Sequence, residues 1–244
     1  MNSSADATPA PLRAEDFPQW VKEVSAPVPL PPPKSCDCQA HIFGDPAKYP
    51  PRPNADYAPL LGASFNDLCA VERTLGFERF VIVHAQVYGA DFSLVIDSLQ
   101  AMADHSHIRV IGRIDDSVSD RELERLHGLG FRGVRFSVQH GRQGPPNFDL
   151  LTRTADRIRG LGWHLRLHLG RGAVITHAAE LDAIRNIRVS IDHLGYVDPA
   201  GGPDQPACRW IVDKLKRDEA WWLMVSNGNR LSPQASGWDD AIPI

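Results

Sequence analysis

Two rhythms of apolar and polar positions alternate along this chain. Seven short runs of seven or eight residues read as β-rich: CDCQAHIF (36–43), RFVIVHA (79–85), IRVIGRI (108–114), FRGVRFSV (131–138), WHLRLHL (163–169), IRVSIDH (187–193) and WWLMVSN (221–227). Runs of this kind predict strands. Between them, helical patterns fall near 64–75, 91–104, 119–129, 147–161, 174–185 and 206–217, several opening on a capping residue such as Ser64, Asp91 or Ser119. Repeated strand-helix units predict a parallel sheet, either a closed barrel or a doubly wound sheet.

The strand ends choose between these. His41, His84, Ser137, His168, His193 and Asn227 each stand at or near the C-terminal end of a run. A doubly wound sheet gathers its polar ligands at one switch point, whereas a barrel draws them from nearly every strand. The expectation is therefore an α/β (β/α)8 TIM barrel with seven of its strands in this sequence. Residues 1–34, with Pro9, Pro11, Pro18, Pro27, Pro29 and the run Pro31-Pro32-Pro33, read as an extended arm outside a short segment from Phe17 to Val24. Residues 35–244 read as one barrel domain.

Composition narrows the partners. With 244 residues and 43% hydrophobic content the chain can bury a large core, and a net charge of −4 without a basic run argues against nucleic acid. A small molecule is the expected ligand. Cys36, Cys38, Cys69 and Cys208 are too few and too scattered for a disulfide scaffold, so reduced thiols are expected. Residues 1–15 lack a signal-peptide pattern and no stretch approaches the ~18 apolar residues of a membrane span, which predicts a cytoplasmic protein that does not engage membranes.

Strand parity puts Asp37, Gln39 and His41 on one face of the first strand, with Cys36 and Cys38 turned toward the helices. In the fifth, His164, Arg166 and His168 oppose Leu165, Leu167 and Leu169, as a polar barrel interior inside an apolar layer would require. The fourth places Gly133, Arg135 and Ser137 together, Arg142 follows in the loop, and Arg230 follows the seventh. Arginines at strand ends suit a carboxylate-bearing substrate, because the planar guanidinium pairs bidentately with it. Tyr49 and Tyr57, in the long first loop, are expected to cover the site. Gly128, Gly130 and Gly133 spell G-x-G-x-x-G but lead from helix to strand, the reverse of a phosphate loop; His105 and His107 lie at the start of a strand, away from an active face; and Cys36 and Cys38 lack a second pair for zinc.

In order, DCQAHIFG, GFRGVRFSV, LGWHLRLHL, SIDHLG and SNGNRLS resemble the amidohydrolase-related (amidohydrolase 2) family of TIM-barrel hydrolases, from about residue 35 onward, and most resemble its branch of pyrone dicarboxylate lactonases. The resemblance implies hydrolysis of a carboxylate-bearing lactone, of the 2-pyrone-4,6-dicarboxylate or muconolactone kind. It implies catalytic roles for His41, His193 and Gln39, and substrate contacts for Arg135, Arg230, His168 and, by approximate match, Arg142; Tyr57 joins these from the loop reading. The family's first-strand His-x-His falls here on Gln39 and His41. Metal-dependent relatives use such histidines for zinc, so the resemblance leaves two alternatives: a lactonase needing no metal, or a zinc or other divalent-metal enzyme, such as a decarboxylase, with His41 and His193 as ligands. It also implies an eighth strand with a Gly-Thr-Asp-Trp-Pro motif that would follow Ile244, hence a C-terminally truncated chain whose open barrel edges can pair with another copy; the alternative to the lactonase is then a catalytically impaired member that only binds a small acid.

Overall fold

In the computed structural model the described residues are 20–53, 55, 57, 62–138 and 145–232. They gather into two compact units. One takes the described residues up to Arg113 together with Gly128–Gly130; the other takes Ile114–His127 and the described residues from Phe131 onward.

The first unit contains β1 (Cys36–Ala40), α1 (Phe65–Leu75), β2 (Arg79–Val83), α2 (Ser93–Gln100) and β3 (Ile108–Gly112). The strands are parallel, with β2 between β1 and β3. Their Val and Ile side chains make the core: Ile82, Val83 and Val110 are fully buried, as are Val87 and Leu99 beside them. Removing each such side chain from water contributes about 1.5–3 kcal/mol. Ser64 caps α1 through a reciprocal box with Asp67, and Gly76, at φ 82°, ends it in the left-handed conformation. The second predicted helix starts later than its pattern: the Asp91 carboxylate accepts from the Ser93 N–H at 3.0 Å, shaping a turn before the helix, which begins at Ser93.

β1 breaks the uniform alternation. Asp37 pairs with Phe80 and Ala40 with Ile82, so three steps on β1 match two on β2, a bulge. Cys38 is exposed and Cys36 only half-buried, instead of both lying beneath helices.

The second unit contains α3 (Asp120–Gly128), β4 (Phe131–Val138), α4 (Phe148–Arg159), β5 (His164–Leu169), α5 (Ala173–Thr176), α6 (Ala178–Ala183), β6 (Val189–Ile191), α7 (Pro206–Arg217), β7 (Trp221–Leu223) and α8 (Gly228–Leu231). β4 to β7 are parallel neighbours in chain order. Val134, Val138, Leu165, Leu167, Leu169 and Ile191 are buried on one face, and Leu123, Leu126, Leu151 and Ile158 are buried on the helices. The opposite face pairs Arg135 with Arg166 and Ser137 with His168 across the ladder, and Arg166 with Ser190. Gly133 allows the tight β4–β5 contact, since a Cβ there would stand 2.8 Å from the His164 carbonyl oxygen. The predicted helix 174–185 is two short helices broken at His177, whose φ of −117° is not helical and whose ring packs 5.1 Å from that of Phe148.

All but β4 and β5 end earlier than their apolar patterns, so His41, His84, Asp192, His193 and Asn227 lie past the ladder. At His193 and Asn227 the reason is backbone: φ is 52° and 59°, incompatible with a strand. No helix among the described residues is long and apolar enough to cross a membrane.

Candidate active site

In the second unit, β4, β5 and β6 bring three charges together. Asp192, with no exposed side-chain surface, accepts from Arg135 Nε at 2.8 Å and from Arg166 Nε at 2.5 Å. Burial alone would raise the Asp192 carboxyl, but the Arg166 and Arg135 guanidiniums outweigh it and hold its pKa below the usual carboxylate value. Because Asp192 engages Arg135 through Nε, the Nη end of that fork makes no hydrogen bond among the described residues. Arg166 also places a terminal nitrogen 3.0 Å from the Met224 sulfur.

His168 and His193 stand beside this array, their ring centroids 6.1 Å apart. Burial first, then the Arg135 charge, pushes His168 down to about 3. Burial also pushes His193 down to about 4; Asp192 opposes the shift, and Arg135, Arg166 and Arg230 add to it. Both rings are therefore neutral at pH 7, able to accept a proton or a hydrogen bond. His168 Nδ1 is buried without a hydrogen-bond partner among the described residues. Arg230 is exposed on α8, yet its charge reaches both imidazoles. Three guanidiniums and one carboxylate thus act on His193, an excess of two positive charges, and two of those guanidiniums, Arg135 and Arg230, with the same carboxylate act on His168.

Backbone, rather than side-chain rotamer alone, orients His193. His193, Leu194, Gly195 and Tyr196 have φ of 52°, 54°, 66° and 51°, a left-handed turn in which three residues carry a Cβ. Such conformations cost about 1–2 kcal/mol per non-glycine residue, and here neighbouring bonds enforce them. Leu194 N–H donates to the Met224 carbonyl at 3.0 Å and Gly195 N–H to the Asp192 carbonyl at 3.0 Å. The turn brings the Tyr196 ring 5.3 Å from His168 and 5.7 Å from His193, both edge-on. Ser226 Oγ lies 2.8 Å from His193 Nδ1, leaving Nε2 as that ring's other working atom.

In the first unit, His41 Nδ1 lies 2.6 Å from the Val83 carbonyl oxygen, which can only accept. Nδ1 therefore carries the proton and Nε2 the lone pair, toward which Gln39 Nε2 points at 3.4 Å. Gln39 and His41 share a side as parity predicts. Asp37 turns back instead, its Oδ1 accepting from the Gln39 N–H at 2.7 Å. Tyr57 packs edge-on against Phe43, and the Tyr49 hydroxyl donates to Asp97 of α2 at 2.7 Å, where Lys48 bonds the same oxygen. His84 is buried against Phe92, 4.8 Å away, and burial pushes it down to about 4.

Of the residues picked from sequence, Arg135, His168, His193 and Arg230 thus fall in the second unit, Gln39, His41 and Tyr57 in the first, and Arg142 lies outside the described residues. Asp192, Tyr196 and Ser226 were missed as site residues, and Arg166 was placed on the right face without a role. An acidic residue directly before the strand-end histidine was the available signal for Asp192.

Comparison with known proteins places this arrangement. The family model for amidohydrolases matches residues 36–244. The chain is 30% identical over 215 residues to a 4-sulfomuconolactone hydrolase from Hydrogenophaga intermedia, covering 87% of this chain and 69% of the relative. It is 30% identical over 233 residues to a 2-pyrone-4,6-dicarboxylate hydrolase from Comamonas testosteroni, covering 92% and 75%. A solved apo structure from Agrobacterium tumefaciens aligns with a TM-score of 0.76 at 21% identity, over 88% of this chain and 76% of that one. Parallel strands in chain order, helices between them and these matches give one conclusion: the chain has the TIM-barrel-like α/β fold, with seven strands among its described residues, and belongs to the amidohydrolase family.

Proposed function

We propose that the protein hydrolyses a lactone bearing carboxylate or similar anionic groups, of the pyrone dicarboxylate or muconolactone kind. The observation that carries the reading is the excess of two positive charges beside two neutral imidazoles in the second unit. A dianionic ring is complementary to that field, and the similarity to hydrolases of sulfomuconolactone and pyrone dicarboxylate supports the same chemistry.

In this reading the Nη end of Arg135 pairs with a substrate carboxylate while Asp192 holds the other end still. Arg230 supplies a second, more exposed cation. A neutral imidazole, His193 through Nε2 or His168, takes a proton from water as the water oxygen bonds to the ester carbonyl carbon. The bond from that carbon to the ring oxygen then breaks, and the proton passes to the departing oxygen. The guanidiniums offset the charge that develops on the carbonyl oxygen. Gln39 and His41 of the first unit are assigned catalytic roles on the strength of their first-strand motif, with the locked tautomer of His41 as support.

Amidohydrolases commonly hold a divalent metal, which would polarise the scissile carbonyl and activate water. Among the described residues no group of three or more His, Cys, Asp and Glu is arranged to hold one, and Gln39 directs an amide at the His41 lone pair. Ultraviolet assays with 2-pyrone-4,6-dicarboxylate and carboxylated or sulfonated muconolactones test the proposal. Turnover that Arg135→Ala strongly lowers supports it; no turnover of any of them by folded protein overturns it.

A further inference from the structure

The Cys36 and Cys38 thiols of β1 take no part in the chemistry proposed above. Cys38 is exposed and Cys36 half-buried, so one sulfur meets solvent and the other stands just inside it. Both lean on the short backbone stretch they share: Cys38 Sγ donates to the Cys36 carbonyl at 3.5 Å, and Cys36 Sγ to the Asp37 carbonyl at 3.4 Å. The bulge brings the pair within bonding reach. A regular strand advances about 3.3 Å per residue, but three steps from Asp37 to Ala40 match two on β2, or about 2.2 Å each. One regular step to Asp37 and one compressed step to Cys38 then add to about 5.5 Å, near the commonest Cα separation in disulfides; two regular steps would give about 6.6 Å, close to the upper limit. Neither Cys69 on α1 nor Cys208 on α7 has a second cysteine on its element.

We propose that Cys36 and Cys38 are a redox-sensitive dithiol, closed to a disulfide within β1 by a low-molecular-weight disulfide such as glutathione disulfide. The exposed Cys38 thiolate attacks one sulfur of the reagent, the S–S bond of the reagent breaks, and one thiolate leaves. Cys36 then gives its proton to solvent and attacks the Cys38 sulfur, expelling the second thiolate. Two protein thiols are oxidised, and one disulfide is reduced to two thiols. Exposure and charge agree on this order. Burial first, then the charge of Cys38 and the hydrogen bond with it, push Cys36 up to about 11, which leaves Cys38 as the first attacker. In the mixed disulfide Cys38 carries no charge, and Arg79, opposite Cys36 on β2, favours the second thiolate. Closing the ring turns the backbone at Asp37, whose Oδ1 accepts from the Gln39 N–H at 2.7 Å, so oxidation moves Gln39. That consequence for activity rests on the catalytic role proposed for Gln39 and His41.

The test incubates the folded full chain with glutathione disulfide, alkylates the remaining thiols in denaturant, and reads intact mass and peptide map, with lactone turnover measured in parallel. The parent is expected to lose two hydrogens and two alkylation sites, both at Cys36 and Cys38, and to regain them with dithiothreitol. Cys36→Ser is expected to stop at one glutathione adduct on Cys38, and Cys38→Ser to keep Cys36 alkylatable. Turnover of the parent is expected to fall on oxidation and return on reduction, while that of Cys38→Ser holds. A parent in which Cys36 and Cys38 both stay alkylatable, or in which only a mixed disulfide on Cys38 forms, overturns the proposal. If the disulfide forms and turnover is unchanged, the coupling to Gln39 is overturned. If it forms but the reduced protein hydrolyses no lactone, the dithiol stands and the lactonase reading falls.

Discussion

Replacing Asp192 with Asn keeps the shape of the side chain and removes the charge that two guanidiniums share. Asp192 has no exposed surface, and the side chains of Arg166 and Arg135 are only 3% and 13% exposed, so neither cation can recover its loss from water. Removing one partner from a buried ion pair costs about 3–5 kcal/mol, much of it the penalty of the charge left behind. In a chain of this size each kcal/mol shifts Tm by about 2–4 °C, so the expected fall is roughly 6–20 °C. Circular-dichroism melting at pH 7 reads it directly. The same variant frees Arg135, so KM for an anionic lactone should rise more than kcat falls, and the double variant with Arg135→Ala should be less destabilised than the sum of the two single changes. A Tm within about 2 °C of the parent, with KM unchanged, would refute the view that Asp192 is the keystone of this array.

Four further outcomes are expected. With His168 and His193 held down to about 3 and 4, the acid limb of the kcat profile should fall near pH 4 rather than near the ordinary histidine value of about 6.5. An unfolded chain binds those protons at about 6.5, so the stability linked to these rings is complete above that pH and is lost as pH falls toward 4; urea unfolding at pH 7, 5.5 and 4.5 checks the sign. Arg135→Lys keeps the charge but loses the fork, and steady-state kinetics should show KM raised about tenfold or more. Gly195→Ala should destabilise by about 1–3 kcal/mol in denaturant titration, because its φ is 66° and the new Cβ would stand 2.7 Å from Ile211 Cδ1.

How much of this was legible in sequence differs from element to element. Short β-rich runs located all seven strands, and the alternation of HLRLHL put Arg166 and His168 on one face. The blind spot of alternation is any residue that breaks it: the bulge at Asp37–Ala40 adds one. The Arg135–Asp192 pair spans 57 positions and Arg166–Asp192 spans 26, distances at which no local pattern operates. Nor does a stretch with one glycine announce four successive left-handed residues; the hydrogen bond from Leu194 to Met224, supplied by a later strand, is what stabilises that path.

The turn at His193–Tyr196 sets a bargain between durability and aim. Glycine at Leu194 would relieve about 1–2 kcal/mol of unfavourable backbone geometry, and the folded chain would gain heat resistance. The freedom so gained would also let the imidazole wander from the Asp192 array. Variants selected only for a higher melting point should therefore accumulate glycine at this corner and turn over more slowly, an inverse relation visible in any library scored for both traits.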